Sequence, residues 1–280
     1  MFRHHIIPKL KAEQREERTM QTFGIVTPTT GADSLKDCIR SLQDQDCFHY
    51  IVVDGHEHTA KVNKIILEVG VTRKQKIIYL EENVGKFGGN FYGHRVYAAS
   101  PFLVNTDVLC FLDQDNVVQP DYIEEFQKVF AEDKYAWAYT LRNIVDSTGR
   151  FVCQDNCESL GHWEVQFDQT RNHIDTGCFA IPRTLLMKVS HYWMGEWGAD
   201  RQFFAAVKAY APDFGCTMKH TLNYRMGSET SRATTDMFLQ GNVIAKNRYL
   251  SEENYPWHVL RNRKKLQTQF TYQTTNPCPR

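Results

Sequence analysis

Two aspartates at the end of an apolar run are the residues whose type and spacing best suit a binding or catalytic site. Asp113 and Asp115 follow the apolar residues 108–112 and precede the turn signal Pro120-Asp121. A short apolar run that ends in turn residues predicts a buried strand, and residues two apart in an extended chain share a face. Two like charges on one face need a cation or hydrogen-bond donors. The pair therefore suits Mg²⁺ or Mn²⁺, which also accept substrate phosphate oxygens as ligands, unless the strand simply ends in a solvated loop.

The elements that must position this pair alternate along the first half of the chain. Apolar runs predict strands over 23–28, 50–54, 76–80 and 108–112. Between them, helical spacing places Leu35, Cys38, Ile39 and Leu42 on one stripe and Val62, Ile65, Ile66 and Val69 on another. Strands that alternate with helices predict an α/β fold, Rossmann-like, with a mostly parallel central sheet flanked by helices.

Polar clusters follow all four of these strands. They occupy residues 27–31, 54–56, 81–83 and 113–115. Because ligands of open α/β sheets bind at the carboxyl ends of the strands, this agreement favours a binding site over a solvated loop at the two aspartates.

The pattern loosens after residue 135. Strands are predicted over 135–145 and 178–182, and helices over 199–210, with Phe203, Ala206, Val207 and Tyr210 on one face, and over 234–250. We find no internal repeat or low-complexity linker. We expect one domain over 21–250, with a nucleotide-binding half (21–118) and a smaller acceptor half (119–250). A charged N-terminal extension (1–20) and a basic, then polar, C-terminal tail (251–280) flank it.

Composition narrows the class of protein. The 280 residues carry 33 Lys plus Arg against 33 Asp plus Glu, so no global field favours nucleic acid or an anionic membrane. No window approaches the roughly 18 apolar residues of a membrane span, and the N-terminus lacks the apolar core of a secretory signal. We expect a cytoplasmic protein, either freely soluble or peripheral at a membrane.

The eight cysteines do not resemble a disulfide framework. Cys110 lies in a predicted buried strand and Cys38 on the apolar face of a predicted helix. Cys153 and Cys157 have ligand-like spacing, but no second Cys or His pair matches them, so the pattern disfavours zinc. A reducing compartment is the default expectation.

Other nucleotide-binding signatures are missing. The sequence has neither the P-loop pattern GxxxxGK[ST] nor GxGxxG after its first strand. Gly85, Gly88, Gly89 and Gly93 permit close backbone approach to a ligand, although they would equally serve helix–sheet packing.

Four segments together resemble a known family. In order and spacing, "IVTPTTGADSLKDCIRSL", "IVVDGH", "ENVGKFGGN" and "VLCFLDQDNVVQPDY" are similar to the GT-A-fold glycosyltransferases of family 2, closely over 22–130 and more loosely over 174–250. The resemblance implies metal-dependent, inverting transfer of a sugar from a nucleotide-diphosphate sugar, with UDP as the expected nucleotide and Mn²⁺ or Mg²⁺ as cofactor.

The resemblance also implies residue roles on the donor side. The implied nucleotide-binding residues are Thr27, Pro28, Thr29, Asp54, Asn83, Gly85, Asp113 and Gln114. Asp54 matches the carboxylate that reads the base, and Asn83 and Gly85 match the turn that follows. Asp113 and Asp115 match the family's DxD element, with Asp115 the better metal ligand. His220 lies where some GT-A enzymes place a third metal ligand, while a packing or surface role stays open.

On the acceptor side, "GEWGADRQFF" resembles the element that supplies the catalytic base. Aligning Gly-Ala-Asp on the family's Gly-Glu-Asp makes Asp200 the base, but Ala199 replaces the usual Glu, so Glu196 remains an alternative. Asp175 and Trp197 are the implied acceptor contacts. Trp163, Trp193 and Trp197 would stack on an acceptor ring or pack in the core.

Two alternatives from other classes stay open. A nucleotidyltransferase would need a basic residue over the phosphates in the first loop, which offers none before Lys36. A non-catalytic nucleotide or sugar binder would not need the acidic residue, Asp200 or Glu196, that follows the Asp-Gln-Asp element in the sequence. The acceptor is not determined: a glycan, a lipid-linked glycan and a modified nucleic-acid base remain, the last supported by the basic run 261–265 and opposed by the neutral net charge.

Overall fold

A computed structural model describes residues 21–132, 134–161, 164, 165, 168–227, 233–251, 254 and 255. The N-terminal extension, Trp163 and nearly all of the C-terminal tail, including the basic run, lie outside these residues, as do the side chains of 164–172.

Eleven strands are assigned among the described residues. They are β1 Phe23–Thr29, β2 Phe48–Asp54, β3 Gln75–Leu80, β4 Val108–Phe111, β5 Val117–Val118, β6 Trp137–Val145, β7 Phe151–Gln154, β8 Glu164–Val165, β9 Asp168–Asn172, β10 Phe179–Pro182 and β11 Phe214–Arg225. Nine form one sheet in the order β3-β2-β1-β4-β10-β6-β11-β5, with β7 beside β6, and β8 pairs with β9.

Seven α-helices accompany them in the described part of the chain. They are α1 Leu35–Leu42, α2 Thr59–Val69, α3 His94–Leu103, α4 Tyr122–Ala131, α5 Arg183–Val189, α6 Ala199–Tyr210 and α7 Thr235–Tyr249. The four residues of the first predicted stripe are all buried on α1, and three of the four on α2 are buried. These two helices were predicted correctly because their apolar spacing matches the helical repeat.

Strand direction brings the polar clusters to one edge of the sheet. β1, β2, β3 and β4 run parallel, and β6 and β11 run parallel to each other. β10 lies antiparallel between β4 and β6, so its first residue lies at the edge where β4 ends. The predicted mostly parallel sheet is confirmed, and the loops before β10 join the loops after β1, β2 and β4.

The core confirms most predicted apolar faces and corrects one. On α6, Phe203, Phe204 and Val207 are buried, whereas Tyr210, expected on the buried face, is 58% exposed. The Lys188 ammonium lies 5.6 Å from the Tyr210 ring centroid. Compared with the predicted face, the buried face of α6 therefore includes Phe204 and excludes Tyr210.

Trp193 packs in the core, where no acceptor ring could stack on it. It is fully buried and stacks on Phe203 with ring centroids 4.5 Å apart. Of the two alternatives for this tryptophan, packing is the one that the structure supports.

Strand β11 was missed from the sequence. Its pairing with β6 shifts register between Cys216 and His220 and again before Leu222, and Met218 has a positive φ of 60°. These irregularities interrupt the alternation of apolar and polar residues that predicts a strand.

Seven cysteines in the described part of the chain, Cys153 and Cys157 among them, are free thiols. No helix among the described residues is long and apolar enough to cross a membrane.

Candidate active site

The Asp-Gln-Asp element forms a tight turn. β4 ends at Phe111, and the Asn116 amide donates to the Asp113 carbonyl oxygen at 3.1 Å. The expectation that Asp113 and Asp115 lie two apart in extended chain is therefore wrong. The turn instead keeps both carboxylates close to the end of the strand.

Both carboxylates lie in an environment that opposes ionisation. Burial raises the pKa of Asp113 to about 7, and repulsion from Asp115 adds to the rise. Burial also raises the pKa of Asp115. Carboxylates destabilised in this way favour a bound cation, because a nearby positive charge stabilises the ionised form.

A tyrosine on α3 fixes one of the two carboxylates. The Tyr97 hydroxyl donates to Asp113 Oδ1 at 2.7 Å, and this bond acts against the rise in the pKa of Asp113. The tyrosine ring packs on Phe111 and Trp193, with centroids 4.9 and 5.4 Å away. Asp113 is therefore anchored to the aromatic core.

Gln114 joins this turn to the loop after β1. Its Oε1 accepts from Thr29 Oγ1 at 2.6 Å, from the Thr30 amide at 3.3 Å and from the Ala32 amide at 3.2 Å. Two clusters that lie 85 residues apart in sequence are thus hydrogen-bonded.

The other predicted residues of β1 lie beneath this loop. Thr27 is buried, and its hydroxyl is 3.0 Å from His49 Nε2. Pro28 packs against Gly93, where an added Cβ would clash with the proline ring. Gly93 therefore serves packing between α3 and β1, one of the two roles considered for the glycines.

Asp54 organises the loop after β3. Its Oδ1 accepts from the Val84 amide at 2.8 Å and its Oδ2 from the Gly85 amide at 3.0 Å. Burial raises the pKa of Asp54, and these two hydrogen bonds act against the rise. A side chain at Gly85 would clash with the Tyr92 carbonyl and the Asp54 carboxylate. Glycine at this position is therefore required by close packing.

Asn83 lies in the same turn. Its Oδ1 accepts from the Lys86 amide at 3.1 Å, and its Nδ2 is 3.4 Å from His58 Nε2. The loops that follow β2 and β3 therefore contact each other through side chains.

Asp175 belongs to a buried ionic cluster around Arg142. The guanidinium of Arg142 donates to Asp155 at 2.8 Å, to Glu158 at 2.7 Å and to Asp175 Oδ2 at 2.5 Å. Burial opposes the charge of Arg142, but the three carboxylates outweigh it and raise its pKa. Asp175 Oδ1 also accepts from the Gly177 amide at 3.1 Å, so the chain itself holds both oxygens of this predicted acceptor contact.

Asp200 is held at the start of α6. Its Oδ1 accepts from the Arg201 amide at 2.8 Å, and its Oδ2 lies 3.6 Å from Nε2 of the buried His173. The charge of Asp200 also contributes to the raised pKa of Asp113. The two aspartates are therefore close enough to interact electrostatically.

The alternative acid, Glu196, is exposed. Its carboxylate lies next to Gly89, where an added Cβ would be 2.9 Å from Glu196 Oε1. Trp197 is 47% exposed, with the Arg201 guanidinium 5.1 Å from its ring centroid. Glu196 and Trp197 therefore lie at the surface beside the glycine-rich loop.

His220 is not assembled with the aspartate pair. Its Nε2 is 3.2 Å from Asn156 Oδ1, and burial lowers its pKa to about 4. Among the described residues, no group of three or more His, Cys, Asp or Glu side chains could hold a metal ion. The His220 ring therefore lies against Asn156, and its role as a third metal ligand beside Asp113 and Asp115 stays a prediction.

Four site residues were not predicted from the sequence. Tyr97, Arg142, His173 and Arg225 each contact or influence a predicted aspartate, yet no motif marks them. The one available signal was Arg142 inside a mostly apolar predicted strand, since a buried charge requires partners.

Comparisons with known proteins agree with this geometry. The family model described as "Glycosyl transferase family 2" matches residues 24–190, more than half of the chain. A crystal structure of S. aureus TarS 1-349 superposes with a TM-score of 0.54 at 14% identity, covering 81% of this chain and 72% of that one. The same TarS fragment in complex with UDP-GlcNAc gives a TM-score of 0.55 at 15% identity, with 82% and 67% covered.

A relative found by sequence similarity matches a smaller part of this chain than the TarS structures do. An uncharacterized protein of Haemophilus influenzae is 36% identical over 59 residues, which are 21% of this chain and 40% of the relative. The match therefore spans well under half the length of that protein.

The fold and the family model together define the class of protein. The mostly parallel sheet with flanking helices has the GT-A glycosyltransferase fold. The chain belongs to glycosyl transferase family 2.

Proposed function

We propose that this protein transfers a sugar, with inversion at the anomeric carbon, from a nucleotide-diphosphate sugar to an acceptor hydroxyl, and that UDP is the nucleotide. The observation that carries the proposal is the Asp113–Asp115 pair at the end of β4, with Tyr97 bonded to Asp113 and packed on Trp193, shortly before α6. Asp200, in the first turn of α6, is the candidate base on that side of the site. TarS, of similar fold, binds UDP-GlcNAc and UDP, which supports a UDP-sugar donor.

A divalent metal suits the donor set that these residues offer. Asp113 and Asp115 present hard oxygen atoms, and burial raises the pKa of both carboxyl groups, although the charge of Arg225 acts against the rise at Asp115. Mg²⁺ and Mn²⁺ are commonly held by one or two carboxylates together with substrate phosphates and water. We therefore assign Asp115 and Asp113 as the protein ligands, without His220. When bound, the ion would neutralise the charge that develops on the departing diphosphate.

The rest of the donor site is formed by side chains and loops of the protein itself. Asp54 holds the Asn83–Gly85 turn, which would form one wall for the nucleoside. The buried residues Thr27, Pro28 and Thr29 would support the other wall, the loop after β1, from beneath. Gln114 is hydrogen-bonded to the loop after β1. This bond keeps that loop and the aspartate turn at a fixed distance from each other. Both arrangements are made by hydrogen bonds within the chain, and a site that is held in place in this way reduces the entropic cost of binding.

Asp200 acts as the general base in this proposal. The acceptor oxygen bonds to the anomeric carbon, the bond from that carbon to the diphosphate breaks, and the acceptor proton passes to Asp200 Oδ2. Oδ1 is already held by the Arg201 amide in the first turn of α6, which fixes the position of the carboxylate. Asp175 and Trp197 border the acceptor side, where a sugar, a lipid-linked glycan or a modified base would lie.

Product analysis tests the function. The protein, incubated with Mn²⁺, a panel of UDP-sugars and candidate acceptors, is expected to release UDP with at least one pair. Release of the sugar 1-phosphate, with UMP transferred to the acceptor, would instead indicate a nucleotidyltransferase. Tight UDP binding without turnover on any acceptor would indicate a non-catalytic binder. The anomeric configuration of the product, measured by NMR, tests inversion.

A further inference from the structure

Arg225, the last residue of β11, is held beside the aspartate turn. β11 pairs antiparallel with β5, Leu222 with Val118 and Asn223 with Val117. The same register, continued by two residues, brings Arg225 opposite Asp115. The Arg225 amide donates to Asn116 Oδ1 at 3.0 Å, so its main chain is fixed against the residue that follows Asp115.

The Arg225 side chain extends from there towards the nucleotide-binding half. Its Nη2 donates to Asp37 Oδ2 at 3.0 Å, in the first turn of α1, which follows the loop after β1. The side chain is 16% exposed and that of Asp37 is 48% exposed. Nε is buried with no hydrogen-bond partner among the described residues. The guanidinium therefore retains donor capacity beyond its one ion pair.

Arg225 also brings a positive charge next to the aspartate turn, because its main chain is hydrogen-bonded to Asn116. Lys36, the first lysine after β1, does not point to this position. Lys36 Nζ donates to Glu68 at 2.8 Å, in the direction of α2. Arg40 also contacts Asp37, at 3.6 Å, but is half-exposed.

From this placement we infer that Arg225 binds the diphosphate of the nucleotide-sugar donor, next to the Asp113–Asp115 pair. A planar guanidinium matches phosphate oxygens with two parallel hydrogen bonds. A diphosphate beside two carboxylates also needs more positive charge than one divalent ion supplies. The inference rests on the proposed function and adds to it the residue that recognises the phosphates.

Three variants test this assignment against a structural role. Arg225→Gln removes the cation, Asp37→Asn breaks the same ion pair but keeps the cation, and Arg40→Gln removes the neighbouring cation. Affinities for uridine and UDP are measured by titration calorimetry with Mn²⁺. We expect Arg225→Gln to weaken UDP binding by roughly 10- to 100-fold and to leave uridine binding unchanged. Asp37→Asn and Arg40→Gln should retain wild-type UDP affinity.

The outcomes are distinguishable. If Asp37→Asn loses as much UDP affinity as Arg225→Gln, the ion pair is structural and the inference is wrong. Equal losses on uridine and UDP, or no loss in Arg225→Gln, would also overturn it. If the wild-type protein binds no UDP at all, both the inference and the choice of UDP as donor nucleotide fail.

Discussion

The Tyr97 hydroxyl lies 2.7 Å from Asp113 Oδ1, so a buried residue of α3 orients a carboxylate at the end of β4. One oxygen of Asp113 is thereby engaged with the protein. The other oxygen and the Asp115 carboxylate are the groups that we propose for the metal. This relationship links the aromatic core to the proposed metal site.

Tyr97→Phe should weaken metal-dependent UDP binding. Removing the hydroxyl leaves Asp113 without its anchor, and a hydrogen bond to a charged group contributes about 1.5–3 kcal/mol. We expect UDP affinity in Mn²⁺ to fall roughly tenfold or more, with little change in EDTA. Tyr122→Phe is the matched control, since its buried hydroxyl donates to the Gly177 carbonyl oxygen at 2.8 Å. Equal effects of the two variants would mean that only packing had been disturbed.

Asp115→Ala tests the metal site directly. Because Asp115 is the better of the two proposed ligands, its loss should reduce UDP binding far more in Mn²⁺ than in EDTA. Calorimetric titration under both conditions measures the difference. Equal losses in the two conditions would remove the metal role. His220→Ala is expected to leave the metal dependence intact, because its ring pairs with Asn156.

Asp200→Asn should abolish transfer while UDP affinity stays near normal. The loss of a general base is expected to cost about 10²–10⁴-fold in turnover. Glu196→Gln should cost less, because that side chain is exposed beside Gly89. Steady-state rates and UDP affinities of both variants decide the assignment. Near-normal turnover in Asp200→Asn with a loss in Glu196→Gln would make Glu196 the base.

Purified protein should contain much less than one zinc per chain. Cys153 and Cys157 are free thiols, and burial raises the pKa of both, which disfavours the thiolate that zinc requires. Metal analysis of protein prepared without chelator measures the content. One tightly held zinc per chain would contradict this prediction.

His49 should make stability depend on pH. Burial lowers its pKa to about 3, well below the ordinary value near 6.5, so the unfolded chain binds the proton more tightly. The stabilisation is complete above about pH 6.5 and is lost as pH falls towards 3. In urea unfolding, His49→Gln should therefore lose less stability than wild type between pH 7 and pH 4.5.

The exposed His191 provides the control, since His191→Gln should follow the wild-type profile. His220, whose pKa is also lowered by burial, keeps part of the slope in every variant. A His49→Gln profile parallel to the wild type would show that His49 does not contribute.

Local pattern predicted the donor half well. The strands before residues 29, 54 and 80 and the stripe of α1 follow from periodicity over fewer than ten residues, and hydrophobic burial acts on that length. The prediction failed where a local irregularity intervened, as at the positive φ of Met218 in β11. On α6, the exposed Tyr210 shows that the surrounding elements, as well as spacing, select the buried face.

The sequence by itself determined the class of fold, the strand-end clusters and the order of the candidate carboxylates. Only the tertiary structure decided which side chains meet them. Tyr97 reaches Asp113 from α3, Arg142 reaches Asp175 from β6, and Arg225 is brought near Asp115 by β11. The reason is physical: periodicity reports which face of an element is buried, whereas ion pairs and hydrogen bonds across the sheet depend on strand order and register.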